Sequence, residues 1–523
     1  MNCVLIISLV FNNSTTSPRL VGRINLTVTG FQMGNETPKF TVDEALQITG
    51  FGKFQFLVLA YAGMGWVSEA MEMMLLSFVG PAVQSDWKLS SHQQSLITSI
   101  VFAGMLLGAY SWGVVSDKHG RRSGFLITAI ITTIAGFFSA FAPNYITLMI
   151  LRCLVGVGLG GGPVLSSWFL EFVPAPDRGI WMVIFSAFWT LGTILEASLA
   201  LFIMPTLGWR WLLALSSLPS LVLLLFYCIA PESPRYLCLQ GRTTEALAIL
   251  EKVATMNHVK LPPGILVSDH KNELNETPSE DTTLLSQREN KTMNIDSKVG
   301  WTSSLFMLFS PELRKTTLLL WVVFFGNAFS YYGLVLLTSE LSIHRSGCGP
   351  VALHSDNSLR ANPYGDVFIT SIAEFPGLLL AAVTVDRLGR KLSMSSMLFL
   401  SCLFLLPLIF NHSENLTTGL LFGARMSITG SFAILYIYAP EIYPTSVRTT
   451  GVGVGSSVGR LGGMVCPLVA VGLVSDCHRT AAILLFGAIV LFSGVAVVLF
   501  PLETKGRELS DSLQKSKPFD TEI

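Results

Sequence analysis

Long apolar stretches dominate the pattern of residues along this chain. Twelve stretches of about 20 mostly apolar residues are separated by shorter polar segments, and a helix of that length spans the hydrocarbon core of a bilayer. Six stretches precede a polar segment over residues 231–316, and six follow it. The pattern predicts an all-α membrane protein with twelve transmembrane helices, which we number spans 1 to 12. Their predicted bounds are residues 54–79, 95–115, 124–142, 145–169, 180–205, 211–230, 317–340, 366–385, 392–410, 418–439, 452–474 and 480–500.

Two similar charged cassettes lie 269 residues apart and divide the chain into related parts. Residues 113–122 read GVVSDKHGRR and residues 382–391 read AVTVDRLGRK, and each lies between two predicted spans. An acidic echo follows each cassette, with residues 171–174 reading EFVP and residues 441–444 reading EIYP. Matched motifs in matched order indicate a duplicated unit. We therefore expect two pseudo-symmetric six-helix bundles, an architecture that many secondary transporters share.

The composition excludes several functional classes. Hydrophobic residues make up 51% of the chain and charged residues only 13%, about half the charged fraction of an average soluble protein. The formal net charge is zero, so nothing indicates a nucleic-acid partner. The eight cysteines form no CxxC pair, and no metal-ligand cluster, nucleophile triad or nucleotide-binding loop stands out. We therefore expect neither an enzyme nor a protein that holds a metal or another cofactor.

The distribution of Lys and Arg predicts the orientation of the spans. If both termini and the central segment share one side, that side holds 26 of the 34 Lys and Arg residues, and the opposite loops hold five. Cations concentrate on the cytoplasmic side of membrane proteins, so we expect both termini and both cassettes in the cytoplasm. The expected domains are an N-terminal segment, a first bundle, a central loop, a second bundle and a C-terminal tail, over residues 1–50, 51–230, 231–316, 317–502 and 503–523.

The central loop contains two different segments. Residues 242–256 place apolar residues at helical spacing and predict an amphipathic helix against the bundle. Residues 268–298 are polar with little to bury, which favours disorder. That segment holds Glu280, Leu284 and Leu285 in the spacing of an acidic di-leucine signal, which clathrin adaptors bind in extended peptides. Short matches of this kind also arise by chance in polar linkers.

The cassettes and several shorter motifs resemble those of the major facilitator superfamily. Residues 231–235 read PESPR and residues 501–507 read PLETKGR, which is typical of the branch for sugars and organic ions. Residues 51–55 (FGKFQ), 69–74 (EAMEMM) and 327–334 (NAFSYYGL) resemble the synaptic vesicle 2-related group of that branch. The resemblance extends over most of the chain and implies the major facilitator fold in a multi-pass protein of vesicles or the plasma membrane. We expect a monomer.

In that superfamily the cassette residues latch the cytoplasmic gate, and the resemblance implies the same role here. Gly113 is expected to let two helices approach closely. Glu171 is expected to pair with Arg178, and in the second bundle Glu441 would pair with Arg448. The alternative is a basic turn that only fixes orientation. The gate candidates are Gly113, Asp117, Gly120, Arg121, Arg122, Glu171, Arg178, Asp386, Gly389, Arg390, Glu441 and Arg448.

Charged residues inside the predicted spans are the strongest candidates for a transport site. Moving a charge from water into a membrane is costly, so such residues indicate a functional role by default. Glu69 and Glu72 share a face of span 1, and we expect both to approach Arg152 of span 4 beside an internal cavity. The alternative for each charged residue is a structural ion pair or a satisfied buried acid. The candidates for substrate or proton sites are Glu69, Glu72, Arg152, Glu196, Glu374, Arg425 and Arg460.

These features favour a secondary active transporter of a small organic ion that works by alternating access and is coupled to protons. Buried carboxylates can titrate during a transport cycle, and four acids against three arginines favour a cationic or zwitterionic cargo. Trp189, Tyr331 and Tyr332 are aromatic candidates for the cavity lining. One alternative is a non-transporting vesicle membrane protein that serves as a trafficking or binding partner, although it would have no use for buried charge. The other is a facilitative sugar carrier, whose sites rely on neutral amides and hydroxyls.

Overall fold

Helices make up most of the described chain. Eleven of them are long and apolar enough to cross a membrane. A further helix of 35 residues, Lys53–Trp87, precedes these eleven and carries two glutamates within its apolar stretch. This helix is span 1, so the protein is a multi-pass membrane protein with twelve spans. The computed structural model describes residues 38–174, 178–267, 306–343, 363–410, 412–443, 447–474 and 478–505.

Seven spans are continuous helices, and five are interrupted. The continuous spans 1, 2, 3, 5, 7, 10 and 12 are Lys53–Trp87, Ser91–His119, Arg121–Ser139, Arg178–Ile203, Arg314–Ile343, Glu414–Ile442 and Arg479–Val498. Spans 4 and 8 each consist of two helices, which are Tyr145–Leu159 with Gly162–Leu170 and Pro363–Ile372 with Glu374–Leu388. Span 6 consists of Trp209–Ser216, Leu218–Leu225 and the 3₁₀ turn Tyr227–Ile229. Span 9 consists of the helix Arg390–Leu405 followed by the 3₁₀ turn Leu406–Ile409. Span 11 consists of the helix Arg448–Pro467 followed by the wider π-helical turn Leu468–Leu473.

Local sequence sets several of these helix ends. The Asn144 side chain begins span 4 by accepting a hydrogen bond from the Thr147 N–H at 2.9 Å, as a helix N-cap does. Gly120 and Gly389 occupy the same place in the two cassettes, with φ of +99° and +90°. Only glycine adopts these angles without strain, and each glycine turns the chain from one span directly into the next. The shared turn agrees with the duplication that the sequence predicts.

The two bundles meet at the end opposite the cassettes. We call spans 1–6 the first half, spans 7–12 the second half, the end with both cassettes the cassette end, and the opposite end the distal end. Near the distal end, the Gln94 amide donates to the buried Glu340 carboxylate at 2.6 Å. Deeper in the bundle, the Ser99 hydroxyl donates to the Met464 carbonyl oxygen at 2.8 Å. These contacts join spans of opposite halves, so the structure is closed at its distal end.

A small unit of short elements lies at the cassette end of the first half. Strand β1, Lys39–Phe40, pairs in parallel with strand β2, Ile265–Leu266. The helices Val42–Thr49, Pro234–Leu239 and Thr243–Asn257 pack against these strands around a small apolar core. We call these elements the surface unit. Its third helix confirms the amphipathic helix that the sequence predicts at almost the same residues.

The surface unit also contains a helix that the sequence analysis missed. The helix Val42–Thr49 begins at Thr41, whose hydroxyl accepts from the Glu44 N–H at 3.2 Å. In return the Glu44 carboxylate accepts from the Thr41 N–H at 2.9 Å, which completes a capping box. A threonine followed three positions later by a glutamate is a recognised sequence signal for the start of a helix. The end of the expected N-terminal segment is therefore folded against the central loop.

Candidate functional site

A fully buried ion pair lies inside the first half. Arg152 Nη1 donates to Glu72 Oε2 at 3.0 Å, and neither side chain is exposed. The Arg152 Nε–H also donates to the Ser139 hydroxyl at 3.2 Å. A second buried carboxylate, Glu196 of span 5, accepts from the Ser216 hydroxyl at 2.8 Å and lies within electrostatic range of both charges. We call Glu72, Arg152 and Glu196 the first-half cluster, and its Glu72–Arg152 pair is one that the sequence predicts.

A second buried ion pair lies where the halves meet. Arg425 of span 10 donates from Nη2 and Nε to Glu374 Oε1 of span 8, at 2.7 and 3.2 Å. The Tyr331 hydroxyl donates to the same oxygen at 2.7 Å. From the first half, the Trp189 indole N–H donates to the Tyr331 hydroxyl at 2.8 Å. The Thr193 hydroxyl, also from the first half, donates to Glu374 Oε2 at 3.1 Å. We call these five residues the bridging cluster, because its hydrogen bonds connect the first half to the charged pair of the second half.

A narrow cavity adjoins the bridging cluster. Trp189, Thr193 and Tyr331 form part of its lining, together with Phe102 and Tyr332. The rings of Phe102 and Tyr332 lie 4.8 Å apart, and those of Tyr331 and Tyr332 lie 5.0 Å apart, both edge to face. Aromatic faces attract organic cations, and the adjacent carboxylate adds a negative charge. The three aromatic residues proposed from the sequence therefore border one inter-half cavity.

Glu69 does not join Arg152, which corrects the prediction for this acid. Its carboxylate lies against Gly162 of span 4 and lines a second cavity, inside the first half. Arg460 of span 11 lies within electrostatic range of Glu69. A separation of three residues turns a side chain by about 60° around the helix axis, which directs Glu69 and Glu72 to different neighbours. The two acids of span 1 therefore belong to different environments.

Each cassette forms an ion pair with the acidic echo of its own half. The Arg121 Nε–H donates to Glu171 Oε1 at 3.2 Å. The second half repeats this contact, and the Arg390 Nε–H donates to Glu441 Oε2 at 3.1 Å. These carboxylates pair with the cassette arginines because spans 3 and 9 begin beside the cassette ends of spans 4 and 10. The contact at equivalent positions follows from the duplication.

Arg178 and Arg448, which follow the acidic echoes, have other partners, so the predicted ion pairs of these arginines with Glu171 and Glu441 do not form. Arg178 pairs with Asp43 of the surface unit at 3.1 Å. Asp43 also forms an ion pair with Arg235 of the PESPR segment. Arg448 has no such partner among the described residues, and its Nε–H donates to the Tyr443 carbonyl oxygen at 3.3 Å. In the part of the chain that the structure describes, an acid of the surface unit lies beside Arg178 and no equivalent unit lies beside Arg448.

The first backbone N–H groups of spans 3 and 9 each bind the side chain of a glutamate from a distant motif. The sequence analysis did not identify these glutamates as part of the gate. Glu232 Oε1 accepts from the Arg122 backbone N–H at 3.1 Å. Glu503 accepts from the backbone N–H groups of Arg390 and Lys391 at 2.8 and 2.9 Å. Free N–H groups at a helix start carry partial positive charge. Partial burial raises the pKa of Glu503, but its backbone hydrogen bonds outweigh that effect and hold the pKa below its ordinary value.

The remaining gate candidates occupy varied positions. An added Cβ on Gly113 would meet no atom within 4 Å, so the prediction of a close helix contact there is wrong. The close approach of spans 2 and 4 occurs at Gly104 instead, where an added Cβ would collide with the backbone. The Asp117 side chain lies outside the described part of the structure. Asp386 is exposed and stands 3.8 Å from Arg390 within its own cassette.

Known proteins share both the sequence pattern and the fold. A family described as sugar (and other) transporter matches residues 47–513. Organic cation/carnitine transporter 7 of Arabidopsis thaliana is 64% identical over 496 residues, which cover 93% of this chain and 99% of the relative. Synaptic vesicle 2-related protein of Xenopus laevis is 40% identical over 483 residues, which cover 90% of this chain and 83% of the relative.

Solved structures share the fold at lower identity. The xylose transporter XylE of E. coli, in a partially occluded inward-open conformation, has a TM-score of 0.64 and 15% identity over 86% of this chain and 100% of that chain. Its inward-open conformation has a TM-score of 0.61 and 18% identity over 87% of this chain and 98% of that chain. XylE is a proton:xylose symporter of the major facilitator superfamily. Because the family match extends over residues 47–513, the chain belongs to the sugar (and other) transporter family, and it shares the fold of XylE.

Proposed function

We propose that the protein moves a small organic ion, cationic or zwitterionic, by alternating access that is coupled to protons. The bridging cluster is the observation that carries this proposal. Its Glu374–Arg425 pair is buried; from the opposite half, Thr193 donates to Glu374 directly and Trp189 donates to Tyr331, which in turn donates to Glu374. Opening the distal end separates the halves, and these hydrogen bonds must then break. A charged pair that loses partners whenever the halves part is suited to respond to a charged cargo.

The cavity lining supports an organic ion as cargo. Phe102, Tyr331 and Tyr332 present aromatic surface, which attracts alkylated or planar cations. The Glu374 carboxylate offers a negative charge close by, and the Arg425 guanidinium offers a positive one for a zwitterion. The cargo named for the Arabidopsis thaliana relative, an organic cation or carnitine, agrees with these charges. Sugar recognition is less well supported, because the described lining is mainly apolar and aromatic, includes no amide side chain, and lies next to a charged pair.

The first-half cluster supports coupling to protons. It buries two carboxylates, Glu72 and Glu196, around the single guanidinium of Arg152. Like charges close together cannot both remain ionised without cost in a medium of low polarity. One proton on the pair of acids would balance the cluster, and loss of that proton would leave an uncompensated negative charge. The cluster therefore suits a site that takes up and releases one proton per cycle.

The orientation and the gate follow from the cassette end. In this proposal the cassette end, with both termini, faces the cytoplasm, because it carries the excess of Lys and Arg. The Arg121–Glu171 and Arg390–Glu441 pairs then act as latches that hold the loops of each half in place while the halves rock. We treat the transporting unit as a monomer, since each half supplies its own latch.

A second candidate function is trafficking or partner binding in a vesicle membrane without transport. It is favoured by the likeness to synaptic vesicle 2-related protein and by the di-leucine pattern of Glu280, Leu284 and Leu285. These three residues lie outside the described part of the structure. Residence in vesicles and transport are compatible, so the di-leucine pattern alone does not separate the two functions. The buried charge of two clusters favours transport, because a scaffold gains nothing from its desolvation cost.

Uptake into proteoliposomes tests the proposal. The purified protein would be offered radiolabelled tetraethylammonium as a cation, carnitine as a zwitterion and benzoate as an anion, each with an imposed pH gradient of either sign. We expect uptake of the cation or the zwitterion above protein-free liposomes, with a rate that depends on the gradient. Glu374→Gln should abolish that uptake, whereas Glu251→Gln on the exposed face of the surface unit should preserve it. Absence of transport of all three ions, or uptake indifferent to the pH gradient, would contradict the proposal.

A further inference from the structure

The second cavity lies entirely inside the first half, apart from the inter-half cavity. Spans 1, 3, 4 and 6 line it, and oxygen-bearing side chains border it from spans 1, 3 and 6. Glu69 and Ser68 come from span 1, and Thr128 and Thr132 come from span 3. The space is large enough for a water molecule or a small ion. Among the residues that the structure describes, this polar cavity shares no lining residue with the inter-half cavity and contains no residue of the first-half cluster.

Span 4 is broken where it borders this cavity. Its first helix ends at Leu159 and its second begins at Gly162. Residue 163 is proline, which has no N–H, so the Leu159 carbonyl has no helical donor four residues later. The carboxyl end of a helix carries partial negative charge. In membrane transporters, such interrupted helices supply backbone carbonyls to small cations.

Several polar groups in the cavity lack a protein partner. Within the described residues, Glu69 forms no hydrogen bond, and its nearest opposite charge acts only at a distance, from Arg460. The hydroxyls of Ser68 and Thr132 form no hydrogen bond there either, although these residues are only 3% and 6% exposed. Both residues line the cavity, so a bound water or ion can satisfy their hydroxyls. Their orientation into a shared space with a carboxylate indicates a guest that binds oxygen atoms.

Two glycines of span 4 bring these oxygen atoms to the helix break. A Cβ added to Gly162 would lie 2.7 and 2.8 Å from the two Glu69 carboxylate oxygens. A Cβ added to Gly158 would collide with the Thr132 hydroxyl. The two glycines lie four residues apart on either side of the break, so the carboxylate and the hydroxyl both approach span 4 close to it. Any residue larger than glycine at these positions would displace the carboxylate or the hydroxyl from the break in span 4.

We propose that this cavity is a binding site for an alkali cation, with sodium as the ion that fits it. Sodium is a hard cation that takes carboxylate, hydroxyl and carbonyl oxygens, which are the groups present here. A single carboxylate balances a single positive charge, whereas calcium sites combine several acids. The cavity offers no histidine or cysteine, which transition metals prefer. Glu69 is the anionic ligand, and Ser68, Thr132 and the Leu159 carbonyl supply neutral oxygens.

The ion would also influence how the halves attract each other. Glu69 belongs to span 1, and Arg460 belongs to span 11 of the opposite half. A cation beside Glu69 neutralises its charge and weakens the attraction between these two residues. Arg460 in turn weakens the affinity of Glu69 for sodium, so binding and closure of the halves oppose each other. Sodium occupancy therefore biases the equilibrium between the open and closed arrangements.

Thermal unfolding of the purified full-length protein in detergent tests this site without any transport measurement. Sodium chloride would be titrated against caesium chloride, whose cation is larger and is not an organic ion, at constant ionic strength. A ligand that binds only the folded state raises its Tm, and we expect a saturable rise of about 2 °C at ten times the Kd. Glu69→Gln and Gly162→Ala should lose the rise, and Glu251→Gln should keep it.

Two results would overturn the sodium site. The first is a wild-type Tm that does not respond to sodium beyond its response to caesium. The second is an undiminished sodium response in Glu69→Gln, with Thr132→Val as a further variant if Glu69→Gln does not fold. If acidification raises the Tm and sodium does not, Glu69 holds a proton and the inference fails. Since cargo uptake plays no part in this experiment, the outcome is independent of the proposed transport function.

Discussion

Trp189 of span 5 donates its indole N–H to the Tyr331 hydroxyl of span 7 over 2.8 Å, and this bond joins the two halves beside a buried ion pair. The same hydroxyl donates to Glu374, which Arg425 neutralises. The Tyr331 hydroxyl thus connects Trp189 of the first half, through two hydrogen bonds, to the charged pair of the second half. A change in the charge of Glu374 would therefore affect a hydrogen bond that joins the two halves.

Removal of the Tyr331 hydroxyl should favour opening at the distal end. Tyr331→Phe leaves the Trp189 N–H without its acceptor and removes one donor from Glu374, at a cost of about 1–3 kcal/mol to the closed arrangement. That cost shifts the equilibrium about 5- to 150-fold towards the distal-open arrangement. Distances between spin labels at the distal ends of spans 1 and 7 would measure the shift. Tyr332→Phe is the matched control, and equal distance distributions in both variants would contradict this role.

The Glu72–Arg152 pair should behave as a coupled unit in stability measurements. Glu72→Gln or Arg152→Gln alone leaves an uncompensated buried charge and should destabilise the protein by about 3–5 kcal/mol. The double variant removes both charges and should be more stable than the sum of the single effects implies. Unfolding of all three variants in detergent forms a double-mutant cycle. Additive effects would show that the two charges do not interact.

The two cassette pairs should affect transport more than stability. Both pairs are partly exposed, so Glu171→Gln and Glu441→Gln should each change the free energy of unfolding by at most about 1 kcal/mol. If the pairs latch the loops during the cycle, both variants should slow uptake to a similar degree. If the cassettes only fix the orientation, uptake per correctly inserted molecule would stay at the wild-type rate, which protease protection and uptake together would reveal.

Glu503 should make the cassette end of span 9 sensitive to acid. Its pKa is lower in the folded protein than in an unfolded chain, because backbone N–H groups bind the ionised form. Its contribution to stability is therefore complete above the unfolded pKa near 4.3 and declines as the pH falls through the folded pKa. The Tm difference between wild type and Glu503→Gln should shrink between about pH 5 and pH 3. A difference that stays constant over that range would exclude this effect.

The di-leucine pattern should direct the protein to vesicles if adaptors bind it. Replacement of Leu284 and Leu285 by alanine removes the apolar side chains that an adaptor pocket would take. We expect the fluorescently tagged variant to move from internal vesicles to the plasma membrane, while Glu251→Gln keeps the wild-type distribution. An unchanged distribution would make the pattern a chance match and leave the transport proposal intact.

The architecture was predictable from the sequence because membrane spans can be recognised by their length and their apolar composition. The twelve spans, the duplicated turns and the helix Thr243–Asn257 all appear where the pattern predicts them. The Glu72–Arg152 pair was also predictable, because the two residues lie at matched depths in neighbouring spans. Depth along a helix can be counted from a sequence, and this is the quantity on which those predictions depend.

Direction around a helix axis cannot be counted in the same way, and the errors follow from that. Glu69 lies at nearly the depth of Glu72 but faces a different cavity. The Thr193 hydroxyl reaches Glu374 only because spans 5 and 8 of opposite halves pack together. Asp43 had no visible role in the sequence, since its partners Arg178 and Arg235 come close to it only in the folded surface unit.

Proton movement driven by cargo tests the coupling on which this account depends. Proteoliposomes that contain a pH-sensitive dye and no imposed pH gradient would receive whichever of tetraethylammonium or carnitine is taken up faster. The account predicts a change in internal pH that accompanies cargo uptake in the wild type. Glu72→Gln, provided that it still exchanges labelled for unlabelled cargo, should show no such change. Cargo uptake by the wild type without any proton movement would contradict proton coupling through the buried carboxylates.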